Sequence, residues 1–350
     1  MTIIIDPNQS PDDPQSSTNA NDDTQRPISL ARYRSLPLDI RTAGLPLAIA
    51  ELGSDASYAF IEFFVANIRN KNTRTAYARA IWRFFHECPE PLAEINSLHI
   101  AAHIERLGAE LAAPSVKQHL AALRMLFDYL VLKQIVPKNP THSVRGPKHV
   151  VKRGKTPILY KDEIKALLDS IDTSTDSGKR DKALIAVMLY TFARVSAVCN
   201  VTKEDIFIQK RRRWIRFKEK GGKQHEMPCH HLLEEYLMDY LDHSQISEFD
   251  DPKTPLFCSI DKGRNGYFTG RKLTRQVAYK IVRRRLRQAE IPTVAGNHMF
   301  RASGITIYLE NGGQVEHAQQ MASHESPRTT KLYDRRDDTV SLDEVERIIF

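Results

Sequence analysis

Apolar residues recur at helical spacing between residues 55 and 132 of the chain. Intervals of three and four positions place such residues on one face of an α-helix, which is typical of a helix that buries that face. The four stripes, in chain order, are Tyr58, Ile61, Phe64 and Ile68; Tyr77, Ile81, Phe84 and Phe85; a segment that begins at Ser97; and Val116, Leu120, Leu123, Phe127 and Leu130. Asn72 or Thr73 is the expected N-terminal cap of the second helix. The pattern predicts a four-helix bundle over residues 55–136.

Two segments contain too few apolar residues to build a core. Residues 1–28 contain five Asp and one Arg among Asn, Ser, Gln and Pro, and we interpret them as a disordered acidic tail. Residues 137–156 contain three Pro, six Lys or Arg and no acidic residue, and we interpret them as a basic linker between two domains. A solvated connector and a segment that follows the phosphates of a nucleic acid are both open alternatives for this linker.

The second half of the chain mixes helical and strand-like patterns. Apolar and polar residues alternate around Ile206 and Ile208 and again around Ile215 and Phe217, and Gly221-Gly222 then predicts a tight hairpin turn. Helical spacing occurs at about 160–172, 180–192, 230–243, 272–289, 298–310, 314–322 and 341–349. We therefore predict a mainly α second domain, of α+β class, with a small antiparallel β-sheet.

Composition narrows the class of protein. Of the 350 residues, 41% are hydrophobic and 27% are charged, as in a globular protein, and the net charge of +8 favours a polyanionic partner. The longest apolar stretch, residues 183–193, is shorter than the roughly 20 residues that span a bilayer, and the N-terminus lacks the basic start of a signal peptide. We expect a cytoplasmic protein without a membrane partner, and reduced cysteines, since no Cys-x-x-Cys pair occurs.

The usual motifs for nucleotide and metal chemistry do not occur in the sequence. A phosphate-binding G-x-x-x-x-G-K-[ST] loop, a dinucleotide fingerprint and an H-E-x-x-H zinc motif are all missing. Cys229, His230 and His231 are adjacent, but no second pair follows at the spacing of a zinc site. We interpret these three residues as the start of a helix and predict no metal site.

Two histidines, an arginine and a tyrosine lie within 36 positions near the C-terminus. His298 and Arg301 share one face of a helix that Gly312-Gly313 ends, and His324 and Tyr333 follow. An arginine grips phosphate oxygens, a histidine transfers a proton, and a tyrosine phenol can attack phosphorus. Because the pKa of a phenol is near 10, such an attack needs a strongly positive site and therefore further cations elsewhere in the chain.

These residues and their order resemble the tyrosine recombinase, or phage integrase, family. The six site positions of that family are filled by Arg194 in LYTFARVSAV, Lys220 in KEKGGKQHEMP, His298 and Arg301 in HMFR, His324 in ASHES, and Tyr333 in RTTKLYDRR. Lys223 is a rival for Lys220 at the lysine position. The sequence spacing to Pro228 in the family's K-G-x-K-x-R-x-x-P run favours Lys220. The resemblance covers about residues 55–335, because the NTRTAYARAIWRFF segment is similar to a helix of the family's core-binding domain.

The resemblance implies a mechanism without a metal or nucleotide cofactor. Arg194 and Arg301 would clamp the scissile phosphate, and Tyr333 would form a 3′-phosphotyrosyl bond. Lys220 would protonate the leaving 5′ oxygen, while the two histidines would assist proton transfer and orientation.

The implied partner is double-stranded DNA, and the implied location is the cytoplasm, in association with the nucleoid. A SAM-like core-binding domain at residues 55–136 and a catalytic domain at 157–350, joined by the linker at 137–156, would hold the duplex, with a homotetramer on two synapsed sites. Contacts with DNA are expected from basic residues of the first domain, the linker and the hairpin, namely Arg74, Lys117, Lys148, Lys152, Arg153, Lys155 and Lys223. The helix predicted at the C-terminus would dock either on its own domain or on a neighbouring protomer.

Two other functions are alternatives. One is a regulator that binds DNA on the same fold without strand exchange, and the other is a DNA relaxase similar to type IB topoisomerases. A regulator would be free to lose Tyr333 or an arginine, so the complete set of six positions favours a site-specific recombinase.

Overall fold

The chain folds into two compact units, Met1–Val150 and Val151–Phe350. The computed structural model describes residues 44–149, 154, 156–219, 223–261, 266–293, 296–334, 345, 346 and 348. Several predictions lie outside the described residues: the acidic tail, Lys152, Arg153, Lys155, Lys220, the Gly221-Gly222 turn and most of the C-terminal helix.

The first unit is a bundle of helices. They are α1 (Leu47–Ala50), α2 (Ser54–Glu62), which continues as a π-helical turn (Phe63–Asn67), α3 (Lys71–Glu87), α4 (Ser97–Glu110) and α5 (Ala113–Leu132), with a 3-10 turn at Leu92–Glu94. All five apolar residues predicted for the stripe of α5 are buried in the core. Helices α2 to α5 match the four predicted segments, so the predicted helical bundle is confirmed.

The stripe predicted for the first helix is partly wrong. Tyr58 is 58% exposed, whereas Phe60 and Phe63 are fully buried beside Ile61 and Phe64. The buried face of α2 runs from Ala56 through Phe60 to Phe63, and Tyr58, two residues from Phe60, points to the opposite side of the helix. Spacing by three and four fits Tyr58 and Ile61 as well, so spacing alone did not place the start of the stripe.

The caps of α3 and α4 are asparagines that directly precede each helix. The Asn70 side chain accepts hydrogen bonds from the amides of Asn72 and Thr73, so the prediction that one of those two residues is the cap is wrong by a few positions. Asn96 caps α4 in the same way, by accepting a hydrogen bond from the amide of Leu98.

The beginning of the predicted linker packs on the first unit. Thr141 and Val144 are buried, and the Asn139 amide donates to the Asp128 carboxylate on α5 at 2.7 Å. In return, the Arg124 guanidinium on α5 donates to the Val144 carbonyl. Residues 139–144 are therefore part of the bundle. The composition of the segment did not predict this, because polar side chains rather than an apolar stripe hold it.

The second unit contains eight helices and five strands in the described residues. The helices are α6 (Lys161–Asp169), α7 (Asp176–Thr191), α8 (Val195–Val198), α9 (His231–Asp242), α10 (Arg275–Gln288), α11 (His298–Glu310), α12 (Val315–Met321) and α13 (Pro327–Lys331). The strands are β1 (Ile206–Gln209), β2 (Arg212–Lys218), β3 (Gln224–Pro228), β4 (Cys258–Ile260) and β5 (Phe268–Lys272), and short 3-10 turns lie at Lys203–Asp205 and Gln245–Glu248.

A three-stranded antiparallel sheet with the order β1-β2-β3 confirms the small sheet that the alternation predicts. Ile215 at the centre of β2 faces Ile206 on β1 and Met227 on β3, so one column of apolar residues points into the core. The antiparallel pair of β4 and β5 was not predicted, because strands of three and five residues are too short to show an alternating pattern.

Helix α7 lies at the centre of the second unit. Every residue of the range 183–189 is buried, as expected for a helix with protein on all sides. The buried carboxylate of Asp181 on this helix pairs with Arg284 and Arg285 of α10, at 2.5 and 2.8 Å, and so fixes α10 against it. Within the described ranges, no helix has the length and hydropathy of a membrane span.

Gly304 allows α11 to approach the end of α7 very closely. A Cβ atom at this position would lie 2.3 Å from the Leu189 carbonyl oxygen and 2.7 Å from a ring carbon of Phe192. Only a glycine fits between these groups without displacement. Because α11 begins at His298 and α7 ends three residues before Arg194, this contact sets the separation of two predicted site segments.

We predict that Gly304→Ala lowers the free energy of unfolding of the second unit by about 1–3 kcal/mol, the usual cost of overpacking a core. Urea unfolding followed by fluorescence measures the change. The matched control is Gly108→Ala on α4, where a Cβ meets no atom within 4 Å; it should be neutral or stabilise by up to about 1 kcal/mol. Equal stability of wild type and Gly304→Ala would contradict the proposed close contact.

Candidate active site

Arg194 lies in the turn between α7 and α8. The helix α7 ends because Phe192 adopts a left-handed conformation with φ of 55°, and Arg194 then caps α8 with an extended backbone. The Ala193 amide donates to the Thr191 hydroxyl at 3.3 Å, which stabilises this turn. The Arg194 side chain is 41% exposed, so part of its guanidinium is open to a ligand.

Arg301, in contrast, is the largest fully buried side chain among the described residues, with 1% exposure. Its Nη1 donates to the carbonyl of Phe192, and its Nη2 donates to the carbonyl of Ala322 at 2.6 Å. Its Nε has no hydrogen-bond partner among the described residues. One guanidinium therefore joins the turn that precedes Arg194 to the loop that precedes His324.

His298 lies one helical turn before Arg301 and contacts the phenol of Tyr333. The distance between His298 Nε2 and Tyr333 Oη is 2.6 Å, a short hydrogen bond. The main chain of Tyr333 is held as well, since the Thr306 hydroxyl on α11 donates to its carbonyl at 2.9 Å. The predicted common face of His298 and Arg301 thus meets the predicted nucleophile.

His324 stacks against the Tyr333 ring. The two rings are nearly parallel, with an interplanar angle of 7° and centroids 5.8 Å apart. The His324 Nδ1 is 2.9 Å from the hydroxyl of Thr330, which is fully buried. A left-handed Ser323, with φ of 48°, turns the chain so that the His324 ring points inward.

The pKa values of the cluster follow from burial among cations. Burial lowers the pKa of His298, and the charges of Arg301 and Arg194 lower it further. The same causes lower the pKa of His324 to about 3. Burial raises the pKa of Tyr333, an effect that Arg301 opposes, and lowers the pKa of Arg301 to about 10. At neutral pH both histidines are therefore neutral, so His298 can accept the phenol proton.

The β2–β3 hairpin reaches this cluster through Glu219. The Glu219 carboxylate accepts a hydrogen bond from Arg194 Nη1 at 2.9 Å. The main-chain amide of Glu219 donates to the Lys223 carbonyl at 2.8 Å. Farther along the hairpin, the ring of His225 donates to the Met321 carbonyl at 3.2 Å. Lys220 lies in the loop that Glu219 and Lys223 close, outside the described residues.

Two family models together match most of the chain. A model of the phage integrase family matches residues 157–339, more than half of the chain, and a model of the phage integrase N-terminal SAM-like domain matches residues 60–134. The chain belongs to the phage integrase family.

Curated relatives of this integrase-family chain are tyrosine recombinases. XerD of Listeria monocytogenes is 28% identical over 272 residues, which cover 75% of this chain and 87% of XerD. XerC of Chlamydia caviae is 25% identical over 230 residues, which cover 66% and 70% of the two chains.

Solved structures share the fold of the integrase-family chain. The XerH site-specific recombinase, bound to its difH substrate in a pre-cleavage complex, has a TM-score of 0.62 and 20% identity, and the match covers 91% of this chain and 92% of XerH. A lambda integrase (75-356) dimer bound to a COC' core site has a TM-score of 0.63 and 17% identity, with coverage of 82% and 97%.

The residues predicted to bind DNA differ in how far their side chains are exposed. Lys117 on α5, Lys148 and Lys223 are exposed. Arg74 is half-buried, and its guanidinium donates to the Ile68 carbonyl at 3.0 and 2.6 Å, so it also stabilises the end of the π-helical turn.

Three residues of the cluster were missed by sequence reasoning about this integrase-family chain. Thr330 belongs to the Thr-Thr pair before Tyr333, and that pair was the available signal for its contact with His324. Glu219 and Thr306 had no signal, because their partners are 25 and 27 residues away along the chain.

The adjacent residues Cys229, His230 and His231 lie at the start of α9. His230 accepts a hydrogen bond from the Leu232 amide and caps α9, as its interpretation as a helix start predicts. In the described part of the chain, no group of three or more His, Cys, Asp or Glu side chains is arranged to hold a metal ion.

We predict that the His324 ring is still neutral at pH 5, where an exposed imidazole is protonated, because its pKa is lowered to about 3. Long-range ¹H–¹⁵N NMR spectra, assigned with His324→Gln, report the charge of each ring. Between pH 6.5 and 3 the native state then binds fewer protons here than the unfolded state, so acidification lowers the free energy of unfolding. A His324 ring that protonates with a pKa near 6.5 would contradict the burial described here.

Proposed function

We propose that this chain is a site-specific DNA recombinase that breaks and rejoins DNA through a covalent bond between Tyr333 and a DNA phosphate. The observation that supports this most is the 2.6 Å contact between the Tyr333 phenol and the ring of His298, within reach of two arginines. A structural tyrosine needs a hydrogen-bond partner, but it does not need two guanidinium groups beside it.

In the proposed reaction, the Tyr333 oxygen attacks the scissile phosphorus as its proton passes to His298. The phenol oxygen forms a bond to phosphorus, and the bond from phosphorus to the 5′ oxygen breaks, which leaves a 3′-phosphotyrosyl link. Attack by the freed 5′ hydroxyl of a partner strand reverses these steps. The number of phosphoester bonds is unchanged throughout.

The arginines stabilise the negative charge that develops on the phosphate. A guanidinium has five N–H donors, and Arg301 uses two of them on main-chain carbonyls, so three are left for the phosphate and the phenol. Arg194 uses one on Glu219 and has the more exposed side chain. Arg194 is therefore the better candidate for a two-point contact with phosphate oxygens, and the buried Arg301 supplies mainly a fixed positive charge.

The remaining steps of the proposal rest on the family. Lys220 protonates the leaving 5′ oxygen, and His324 packs against the Tyr333 ring and orients it. Two alternatives, a regulator without catalysis and a type IB topoisomerase-like relaxase, are not favoured, since the curated relatives are tyrosine recombinases.

Double-stranded DNA is the proposed partner, and a homotetramer on two synapsed sites is the proposed assembly. In support, the XerH structure contains its difH substrate, and one lambda integrase structure of TM-score 0.60 and 16% identity is a tetramer bound to a Holliday junction. The C-terminal segment 341–350 would join neighbouring protomers or dock on its own domain.

The proposed contact surface for DNA includes residues of both units. We retain the exposed Lys117, Lys148 and Lys223 from the sequence prediction, with Arg74 and the three basic residues of segment 152–155. We add Arg275 and Lys280, which are both exposed on α10; Arg275 lies next to Val195, the residue after Arg194. Lysine and arginine at such positions bind DNA through its phosphates.

We predict that Tyr333→Phe binds DNA like the wild type but forms no covalent adduct, because the ring keeps its packing and loses only the attacking oxygen. Nicked suicide substrates from the genomic neighbourhood of the gene, resolved on denaturing gels, measure the adduct. Tyr308→Phe, on the same helix as His298, is the matched control and should keep wild-type yield. Adduct formation by Tyr333→Phe would show that another residue attacks.

We predict that Lys220→Ala slows cleavage and that a 5′-bridging phosphorothiolate restores the rate, because a leaving sulfur needs no proton. Lys223→Ala is the control from the other side of the hairpin loop and should show a smaller loss without rescue. Single-turnover cleavage of the two substrates measures both effects. Rescue that occurs only in Lys223→Ala would assign the acid to Lys223 instead.

A further inference from the structure

One acidic side chain lies in contact with the cationic cluster. The Glu219 carboxylate is only 5% exposed, and it pairs with Arg194, whose side chain is 41% exposed. A carboxylate that is shielded from water is unfavourable unless a partner compensates the lost hydration. Arg194 provides that compensation, so the two groups hold each other in place.

Among the described residues, no other carboxylate forms a salt bridge with Arg194. The helix that begins after Arg194 has the sequence VSAV and contains no acid. Arg301 donates to main-chain carbonyls, and no salt bridge joins it to a carboxylate in the described ranges. The position of the Arg194 guanidinium therefore depends on the hairpin residue Glu219.

The same residue closes the hairpin loop. The Glu219 main-chain amide donates to the Lys223 carbonyl at 2.8 Å, which joins the ends of β2 and β3. The ion pair with Arg194 consequently ties the end of β2 to the α7–α8 turn. A second tie, from His225 to the Met321 carbonyl, joins the other strand of the hairpin to the segment that precedes His324.

We propose that Glu219 is a positioning residue, which ties the Arg194 guanidinium to the residue that follows β2 and so fixes its direction toward the phosphate. This inference rests on the proposed recombinase function. The carboxylate occupies Nη1 of Arg194 and leaves the other N–H donors of the guanidinium for the phosphate. The Glu219 carboxylate also offsets one of the two guanidinium charges. The site should therefore bind a ground-state phosphate less strongly and in a narrower range of positions.

Two effects of opposite sign distinguish this role from a structural one. In Glu219→Gln the amide oxygen still accepts a hydrogen bond, but the negative charge is gone. We expect inorganic phosphate to bind the DNA-free protein at least about threefold more tightly, because a negative charge that repels the phosphate has been removed from beside Arg194. We expect single-turnover DNA cleavage to be about 10- to 100-fold slower, because the Arg194 guanidinium is held less firmly without the charged partner.

The matched control is Glu226→Gln on the same hairpin. Glu226 pairs with Arg216 at 2.8 Å, but both side chains are about one-third exposed, and neither contacts the cluster. This variant should equal the wild type in phosphate affinity and in cleavage rate. Calorimetric titration with inorganic phosphate and adduct formation on the suicide substrate measure the two quantities for each protein.

Glu219→Asp tests the proposal if Glu219→Gln does not fold. It keeps the charge and shortens the side chain by one methylene, so phosphate affinity should stay within about twofold of wild type while cleavage slows. Equal behaviour of the Glu219 and Glu226 variants in both assays would overturn the proposal, as would weaker phosphate binding by Glu219→Gln. If the wild type forms no adduct with any DNA, the proposed function fails, whereas the phosphate titration still decides the charge role of Glu219.

Discussion

The buried guanidinium of Arg301 is the interaction on which the site depends. A fully buried cation is tolerated only if its donors are satisfied, and the carbonyls of Phe192 and Ala322 satisfy two of them. Those carbonyls belong to two loops that precede Arg194 and His324. Because Arg301 is itself one turn from His298, a single side chain fixes the relative positions of the other three groups around Tyr333.

Helix packing sets the geometry in which Arg301 can act. The absence of a side chain at Gly304 brings α11 against the last turn of α7, and the left-handed Phe192 then directs its carbonyl toward Arg301. The Thr306 hydroxyl, two residues farther along α11, holds the main chain of Tyr333. The phenol, its histidine and the buried arginine are therefore positioned by one helix, while Arg194 and the hairpin are positioned by contacts with it.

Sequence reasoning worked where the signal was local. The stripe on α5 and the shared face of His298 and Arg301 depend only on helical periodicity, and both are present in the structure. It failed where spacing fits two faces of one helix, as at Tyr58 on α2, and where elements are short, as for β4 and β5. The pairing of Arg194 with Glu219 could not be predicted, because it depends on how a hairpin packs against a distant turn. The placement of Lys220 is still a prediction.

The partners of Arg301 are main-chain carbonyls, so its hydrogen bonds do not require particular side chains at the partner positions. Every amino acid supplies a carbonyl oxygen, so neither contact depends on the identity of the side chain at 192 or 322, provided that the backbone path is kept. Both side chains are buried and position 192 is left-handed, so exchanges are limited to residues that fit the core and, at 192, tolerate a positive φ; insertions, deletions and prolines would disturb the path. Related chains could thus preserve the same charge arrangement while the residues that form its cradle differ in identity.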